Sequence, residues 1–178
     1  MLTAFIALGA NLPSSAGPPE ATLAAAAERM AALGRITARS SLYSTAPVGF
    51  QEQPRFVNSV VALETHLSPC ELLSALLALE LEFGRDRAAN PANGPRPLDL
   101  DLLFYGDLVL AVSSLELPHP RLAERAFVLV PLHEIAPDFR DPRSGKTVTQ
   151  LMEALPAREQ RNAVAKIEWD SWTTYVGR

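Results

Sequence analysis

The segment 56–83, FVNSVVALETHLSPCELLSALLALELEF, contains the two clearest structural elements of the chain. Its first part, 56–66, is rich in apolar and β-branched residues that fall on both faces of a strand, which predicts a strand within a sheet. A helix is predicted to follow, because Ser68 has the residue type of an N-cap and Glu71 stands at the third helical position, as in a capping box. Gly84 is expected to end this helix.

The sequence on either side supplies partners for this strand and helix. Strands are predicted at Leu2–Gly9, Ile36–Tyr43 and Leu98–Tyr105, and a further helix at Glu20–Leu33. The order β-α-β-β-α-β matches the split βαβ motif of ferredoxin-like folds. We therefore predict an α+β fold with a mostly antiparallel sheet and helices on one face. Shorter C-terminal elements are expected at 108–112, 124–135 and 142–145.

The composition excludes several classes of protein. The 178 residues are 48% hydrophobic and 20% charged, as in an ordinary globular chain, and we expect one domain, 1–178. The net charge of −4 argues against a broad nucleic-acid-binding surface. Cys70 is the only cysteine, so no intramolecular disulfide can form and a cytoplasmic location is expected. No apolar run approaches the ~20 residues of a membrane span. We expect a monomer without nucleic-acid or membrane partners.

Two carboxylates dominate the predicted strand at 98–105. Asp99 and Asp101 are two residues apart, so their side chains share one face of the strand. The opposite face is predicted to carry Leu98, Leu100, Leu102 and Phe104. Neighbouring carboxylates repel each other, and this pair therefore needs basic side chains or a metal beside it. Mg²⁺ typically binds one or two carboxylates together with substrate phosphates. An exposed acidic strand edge is the alternative.

Three arginines precede the acidic strand. Arg85 and Arg87 follow the second helix, and Arg96 lies three residues before Asp99. A guanidinium forms two parallel hydrogen bonds to a phosphate, which favours a phosphate site over isolated surface charges. Glu80 continues the buried stripe of the preceding helix. It needs a partner there, either an arginine in a structural salt bridge or a substrate hydroxyl.

One histidine stands in a rigid turn. His119 lies between two prolines in the sequence Leu117-Pro118-His119-Pro120. A protonated imidazole at this point would donate to a phosphate, although a lone histidine is more often structural.

Phe56 and Asn58 form a second candidate binding surface. They share one face of their strand and follow the irregular loop after Tyr43. An aromatic wall beside an amide that both donates and accepts suits the edge of a heteroaromatic ring. Packing in the core is the alternative for Phe56.

Together these segments resemble the 6-hydroxymethyl-7,8-dihydropterin pyrophosphokinases of folate biosynthesis. The matching blocks, in family order, are Ala7–Leu12, Tyr43–Asn58, Glu80–Arg87, Gly94–Asp101, and Pro118–Pro120 with Arg125–Pro131. The most specific block is Gly-Pro-Arg followed by Asp-x-Asp. The resemblance implies transfer of a diphosphate from MgATP to the pterin hydroxymethyl group, with release of AMP.

The resemblance also implies roles for individual residues. It implies two Mg²⁺ ions on Asp99 and Asp101, and catalytic roles for these residues with Arg85 and Arg96. The nucleotide site would comprise Glu80, Arg87, Leu102, His119 and Arg125. The pterin site would comprise Thr45, Pro47, Val48, Phe56, Asn58 and Phe127. The loop from Arg85 to Arg96 would close as a lid.

Three positions depart from the family pattern. Members often have an aromatic residue before Gly-Pro-Arg, where this chain has Asn93, so stacking of the lid on the pterin is in doubt. Pro120 replaces a tyrosine of some members, and Ala10 replaces a common serine. A Mg²⁺-dependent phosphohydrolase or nucleotidyl transferase, and a ferredoxin-like ligand-sensing module without catalysis, are the alternative functions.

Overall fold

The computed structural model describes residues 1–48, 52–87, 94–156 and 164–172. The strands are β1 (Leu2–Ala10), β2 (Arg35–Arg39), β3 (Leu42–Thr45), β4 (Phe56–Thr65), β5 (Asp99–Tyr105), β6 (Leu110–Val112), β7 (Leu115–Leu117) and β8 (Val164–Ile167). The helices are α1 (Pro19–Met30), α2 (Pro69–Glu82), α3 (Ala126–Ile135) and α4 (Val148–Glu153), with a 3₁₀ turn at Leu122–Glu124.

One antiparallel sheet organises these elements. Its strands lie in the order β5-β1-β4-β3-β8, and β2 pairs with β4 beside β3. Strands β6 and β7 form a separate hairpin. The chain order β1, α1, β2 with β3, β4, α2, β5 is the predicted split βαβ arrangement, and the α+β fold class is confirmed.

Helices cover both faces of the sheet. The core helices α1 and α2 lie on one face, where Leu23 and Leu76 pack with Ile6 of β1. The C-terminal helices α3 and α4 lie on the other face, where Leu129 and Leu151 join a second buried cluster. The sequence analysis anticipated the first layer but not the second. Among the helices in the described ranges, none has the length and apolar character needed to cross a membrane.

The predicted strand Ile36–Tyr43 is two strands, β2 and β3. Arg39 lies opposite Val61, and Tyr43 lies opposite Asn58. The segment that joins β2 to β3 therefore carries one residue more than the part of β4 that it faces. The irregularity falls at Ser40, whose hydroxyl accepts a hydrogen bond from the main-chain N–H of Val60 at 2.9 Å. The single-strand prediction was wrong because a side chain here replaces a main-chain group of the ladder.

A second bulge changes the face on which Phe104 lies. Ile6 is opposite Leu102, but Phe5 is opposite Phe104, so β5 carries one extra residue between these pairs. Phe104 therefore faces the α3 side, where its ring lies 4.9 Å from that of Phe139. Its predicted place on the face of Leu102 was wrong, because the bulge reverses the alternation.

Helix α2 begins with the predicted capping box. The main-chain N–H of Ser68 donates to Glu71 Oε2 at 2.8 Å, and the main-chain N–H of Glu71 donates to Ser68 Oγ at 3.4 Å. These two bonds satisfy donors that the helix itself leaves unpaired. The box thus fixes where α2 starts, and with it the position of Glu80 near the other end.

We expect Ser68→Ala to lower the free energy of unfolding by about 1 kcal/mol, because the Glu71 N–H loses its acceptor. Urea denaturation measures the change. Ser74→Ala is the matched control: Ser74 is exposed within the same helix and its hydroxyl donates back to the Cys70 carbonyl. Its replacement should change stability by less than about 0.5 kcal/mol, because alanine favours the helix. An equal loss in both variants would contradict the capping role.

Candidate active site

A cleft opens where four strands end together. Asp99 of β5 lies opposite Gly9 of β1, and Gly9 lies opposite Asn58 of β4. Directly paired residues share one face of a sheet, and this row faces the side covered by α3. The space within the cleft and at its open mouth, including solvent, is about 620 Å³. The predicted residues that line it are Thr45, Val48, Phe56, Asn58, Arg96, Asp99, Asp101, Arg125 and Phe127.

Gly9 leaves the space that two of these side chains fill. A Cβ atom at this position would lie 3.0 Å from Asn58 Oδ1 and 4.0 Å from Asp99 Cβ. Any larger residue would therefore displace the amide of Asn58. The sequence analysis included Gly9 in a family block without giving it a role.

Asp99 is surrounded by the three predicted arginines. Its Oδ1 lies 3.1 Å from Arg85 Nη1 and 3.7 Å from Arg87 Nη2, and its Oδ2 lies 2.8 Å from Arg96 Nη2. Both Arg85 and Arg96 are largely buried, and burial lowers the pKa of Arg85. The sequence analysis required either basic side chains or a metal beside the acidic pair. For Asp99, basic side chains are present.

Asp101 has a weaker cationic partner. Its Oδ2 lies 3.7 Å from Arg125 Nη1. Burial, followed by the negative charge of Asp99, raises the pKa of Asp101. A carboxylate whose charge is disfavoured in this way is stabilised by an added cation. In the described ranges no group of three or more His, Cys, Asp or Glu side chains is placed to hold a metal ion. A cation here would take its remaining ligands from phosphate or water, as Mg²⁺ does.

Glu80 is paired by protein groups at the edge of β5. Its side chain is 2% exposed and accepts two 2.7 Å hydrogen bonds from Arg87. It also accepts the main-chain N–H of Leu100 at 2.7 Å. The arginine partner considered for Glu80 is thus present, and the carboxylate holds Arg87 beside the acidic strand.

His119 is held with one nitrogen already engaged. Its Nδ1 accepts the main-chain N–H of Arg121 at 3.2 Å, and its own main-chain N–H donates to the Leu103 carbonyl at 2.9 Å. Burial, then the charges of Arg125 and Arg121, lowers the pKa of His119 to about 4. The imidazole is therefore neutral near pH 7 and carries its proton on Nε2, which remains a donor. Donation of a hydrogen bond to a phosphate, the role considered for His119, therefore does not require a protonated imidazole.

Each of the two phenylalanines lies against an arginine of the cleft. The guanidinium carbon of Arg96 is 4.9 Å from the ring centroid of Phe56, and that of Arg125 is 5.5 Å from Phe127. Asn58 is buried, and its Nδ2 donates to Thr45 Oγ1 at 2.7 Å. This hydrogen bond to Thr45 fixes the orientation of the Asn58 amide, and with it the direction of the carbonyl oxygen. Aromatic and cationic residues thus meet in one cleft.

The remaining predicted residues lie around the cleft or outside the described ranges. Among the described residues, Pro47 does not line the cleft, although its neighbours Ala46 and Val48 do. The side chain of Leu102 is buried in the core beneath α1 and α2. The predicted lid runs from Arg85 to Arg96, and its middle part, 88–93, which includes Asn93, lies outside the described residues. Closure of the lid therefore stays a prediction.

Two further residues at or beside the cleft were given no role in the sequence analysis. Arg121 lines the cleft, and its nearest acidic partner in the described ranges, Glu124, is 3.9 Å away and exposed. Asn11 is buried; its Oδ1 accepts the Arg96 main-chain N–H at 2.8 Å, and its Nδ2 donates to the Pro54 carbonyl at 3.0 Å. Asn11 therefore joins the segment of Arg96 to the one that leads into Phe56. The Leu-Gly-x-Asn block indicated Asn11, but its contacts are too distant in sequence to predict.

Known proteins resemble this chain over most of its length. The family model described as 7,8-dihydro-6-hydroxymethylpterin-pyrophosphokinase (HPPK) matches residues 5–137. A Synechocystis sp. protein named 2-amino-4-hydroxy-6-hydroxymethyldihydropteridine pyrophosphokinase is 47% identical over 154 residues, covering 85% of this chain and 75% of that protein. The chain belongs to the HPPK family. A Pseudomonas aeruginosa protein of the same name is also 47% identical over 154 residues, covering 85% of this chain and 91% of the relative.

A solved structure shares the HPPK fold. The Plasmodium falciparum HPPK-DHPS wild type with pterin and p-hydroxybenzoate superposes with a TM-score of 0.65 at 15% identity, over 85% of this chain. This chain spans 42% of that fusion chain. At this identity the likeness concerns the fold alone. The resemblance to HPPK inferred from the sequence is confirmed, and every candidate site residue lies within the range matched by the HPPK model.

Replacing each of the two aspartates by its amide should have different effects on stability. We expect Asp101→Asn to keep or raise the melting temperature, because it removes a charge that burial and Asp99 disfavour. Asp99→Asn should lower the free energy of unfolding by about 1–3 kcal/mol, because Arg85 and Arg96 lose their partner. Thermal and urea unfolding without Mg²⁺ measure both. Greater destabilisation by Asp101→Asn would contradict the assigned pairing.

The neutral state of His119 predicts a pH-dependent contribution to stability. In the unfolded chain the imidazole binds a proton below pH ~6.5, whereas in the folded protein it does so only near pH 4. Its contribution is therefore complete above pH ~6.5 and is lost as the pH falls towards 4. The stability advantage of the wild type over His119→Gln should shrink by about 1–2 kcal/mol between pH 7 and 4.5, allowing for partial exposure. Urea unfolding at the two pH values tests this, with the exposed His66→Gln as control; a constant difference would contradict it.

Proposed function

We propose that the chain transfers the β,γ-diphosphate of MgATP to the hydroxymethyl group of 6-hydroxymethyl-7,8-dihydropterin, yielding AMP and the pterin diphosphate. Pyrophosphoryl transfer to hydroxymethyldihydropterin is the activity in the name of the family to which the chain belongs. The observation that carries the proposal is one cleft in which the acidic pair and its arginines adjoin Asn58 and two phenylalanines. A phosphate donor and a flat acceptor would meet there.

The arginines form the proposed phosphate site. Arg85 and Arg96 are fixed on Asp99, and Arg87 is fixed on Glu80, so their guanidinium groups are oriented before any ligand binds. Arg125 approaches from the start of α3. Fixed cations stabilise charge in a transition state without the cost of reorganising at that moment. We assign Arg85 and Arg96 to the reacting phosphate, and Arg87 and Arg125 to the rest of the triphosphate.

Asp99 and Asp101 are the proposed ligands of two Mg²⁺ ions. Carboxylate oxygens suit this hard cation. Burial, followed by the charge of Asp99, raises the pKa of Asp101 and so disfavours its ionised form, which a bound cation would stabilise. When bound, Mg²⁺ would neutralise charge on the phosphate oxygens. Because Arg85 and Arg96 already contact Asp99, these arginines would share that carboxylate with the metal or turn from it to the phosphates.

The nucleotide is proposed to lie along the outer edge of β5. The main-chain carbonyl of Leu98 accepts from Arg85 and the N–H of Leu100 donates to Glu80, so alternate main-chain groups of β5 face this edge. Leu102 continues the alternation, and it would contact the nucleotide through its main chain because its side chain is buried. His119 would donate from Nε2 to a phosphate oxygen, and Glu80 would order this edge.

The pterin is proposed to lie between Phe56 and Phe127 with its polar edge on Asn58. Two aromatic faces hold a flat ring, and stacked contacts of this kind contribute about 0.5–1.5 kcal/mol beyond buried area. Thr45 directs the Asn58 amide. Val48 lines this side of the cleft, and Pro47 precedes it in the chain. The protein would then act mainly by aligning the pterin hydroxyl oxygen with the β-phosphorus and by neutralising charge as the bond to AMP breaks.

Three broader features remain proposals. We propose that residues 1–178 form a single domain, that it acts as a monomer, and that it works in the cytoplasm. The six-stranded sheet, which joins the first and last described strands, supports one domain, and the lone exposed Cys70 suits a reducing compartment.

One assay tests the reaction and the pterin site together. With ATP, Mg²⁺ and 6-hydroxymethyl-7,8-dihydropterin, we expect AMP and the pterin diphosphate in equal amounts. Release of free phosphate or free diphosphate would instead indicate a phosphohydrolase or nucleotidyl transferase. Asp101→Asn should abolish AMP formation.

We expect Asn58→Ala to weaken pterin binding tenfold or more, because the polar ring edge loses its partner, and to change nucleotide affinity less than twofold. Calorimetry measures the pterin affinity with a non-hydrolysable ATP analogue present, and the affinity for the analogue itself in a separate titration. Ser74→Ala, remote from the cleft, is the control. Unchanged pterin affinity in Asn58→Ala would mean that the pterin binds elsewhere.

A further inference from the structure

The segment 164–172 adds a strand to the edge of the sheet, after the range 5–137 that the HPPK model matches. Its strand β8 pairs antiparallel with β3, with Val164 opposite Thr45 and Lys166 opposite Tyr43. On its other side β3 pairs with β4 over only three residues, 43–45. Strand β8 therefore converts a short edge strand, which carries Thr45 of the cleft, into an interior strand.

Trp172 anchors this segment at the junction of β2 and β3. Its side chain is 8% exposed, and its Nε1 donates to the Ser40 carbonyl at 2.8 Å. The guanidinium of Arg39 lies 4.7 Å from the Trp172 ring centroid. The indole thus fixes the residue at which the two strands change register on β4.

The same junction is bonded to the strand that carries Asn58. Ser40 Oγ lies 2.9 Å from Ser59 Oγ, next to Asn58 in the chain. On the α3 side, Glu134 accepts the Ser41 main-chain N–H at 2.8 Å and the Tyr43 hydroxyl at 3.0 Å. These contacts link β3 to β4 and to the helix that begins beside Phe127.

We propose that segment 164–172 is a positioning element for the pterin half of the cleft. It holds β3 in register so that Thr45 can direct the Asn58 amide, with Trp172 as the anchoring residue. This inference rests on the proposed function, because it takes Asn58 as the pterin contact.

The strand order separates this role from a general effect on stability. Strand β8 lies at one end of the sheet and β5, with the acidic pair, at the other, with β3, β4 and β1 between them. Loosening β3 should therefore disturb pterin binding while the phosphate half keeps its geometry. A purely structural role would affect both halves alike.

The test compares two tryptophans of the same segment in the full-length chain. Trp172→Phe keeps an aromatic ring but removes the hydrogen bond to Ser40, and Trp172→Ala removes both. Trp169→Phe is the matched control, because the buried Trp169 Nε1 has no hydrogen-bond partner among the described residues. Calorimetry measures the affinity for 6-hydroxymethyl-7,8-dihydropterin and, separately, for a non-hydrolysable ATP analogue.

We expect Trp172→Phe to weaken pterin binding at least threefold and Trp172→Ala at least tenfold, with nucleotide affinity within twofold and Trp169→Phe unchanged. If Trp172→Ala does not fold, Trp172→Phe decides. Equal losses of both affinities, or no loss of pterin affinity, would overturn the positioning role. Asn58→Ala is measured in parallel: if it weakens pterin binding and the Trp172 variants do not, only this inference fails. If Asn58→Ala has no effect, the proposed pterin site fails, and this inference with it.

Discussion

The pairing of β1 with β4 on one side and β5 on the other is the constraint on which the site depends. It places Asn58, Gly9 and Asp99 in one row across three strands. The glycine in the middle leaves the row concave, because a Cβ there would meet the Asn58 amide. A shift of either register by one residue would turn an essential polar side chain to the opposite face. The apolar packing beneath α1 and α2 thus determines where the chemistry lies.

The electrostatics of the cleft follow from burial. Largely buried arginines lie beside Asp99, while Asp101 has only a more distant cation. Burial lowers the pKa values of Arg85 and Arg125 and raises that of Asp101. In the protein without ligand, burial therefore disfavours the charged forms of these arginines and of this aspartate. A ligand with several negative charges, together with a divalent cation, complements this arrangement. The fold stabilises these groups enough to keep them in place without neutralising them.

Local patterns predicted much of the architecture. The capping box at Ser68, the strand 56–66 and the same-face pair Asp99 and Asp101 each depend on neighbours within a few residues, and period-two or period-3.6 arguments suffice for them. The bulge at Ser40 and the turned Phe104 could not be predicted in this way, because a bulge is specified by the partner strand.

Contacts distant in sequence were also beyond prediction. Asn11 bonds to Arg96 and Trp172 bonds to Ser40, separations of 85 and 132 residues. No local pattern marks such pairs. The sheet pairings of β1 have the same long range: Gly9 lies opposite Asp99, 90 positions later in the chain. During synthesis at about 5–20 residues per second, β1 leaves the ribosome roughly 5–20 s before β5 exists to pair with it. One edge of this largely apolar strand must therefore stay unpaired, and unaggregated, throughout that interval.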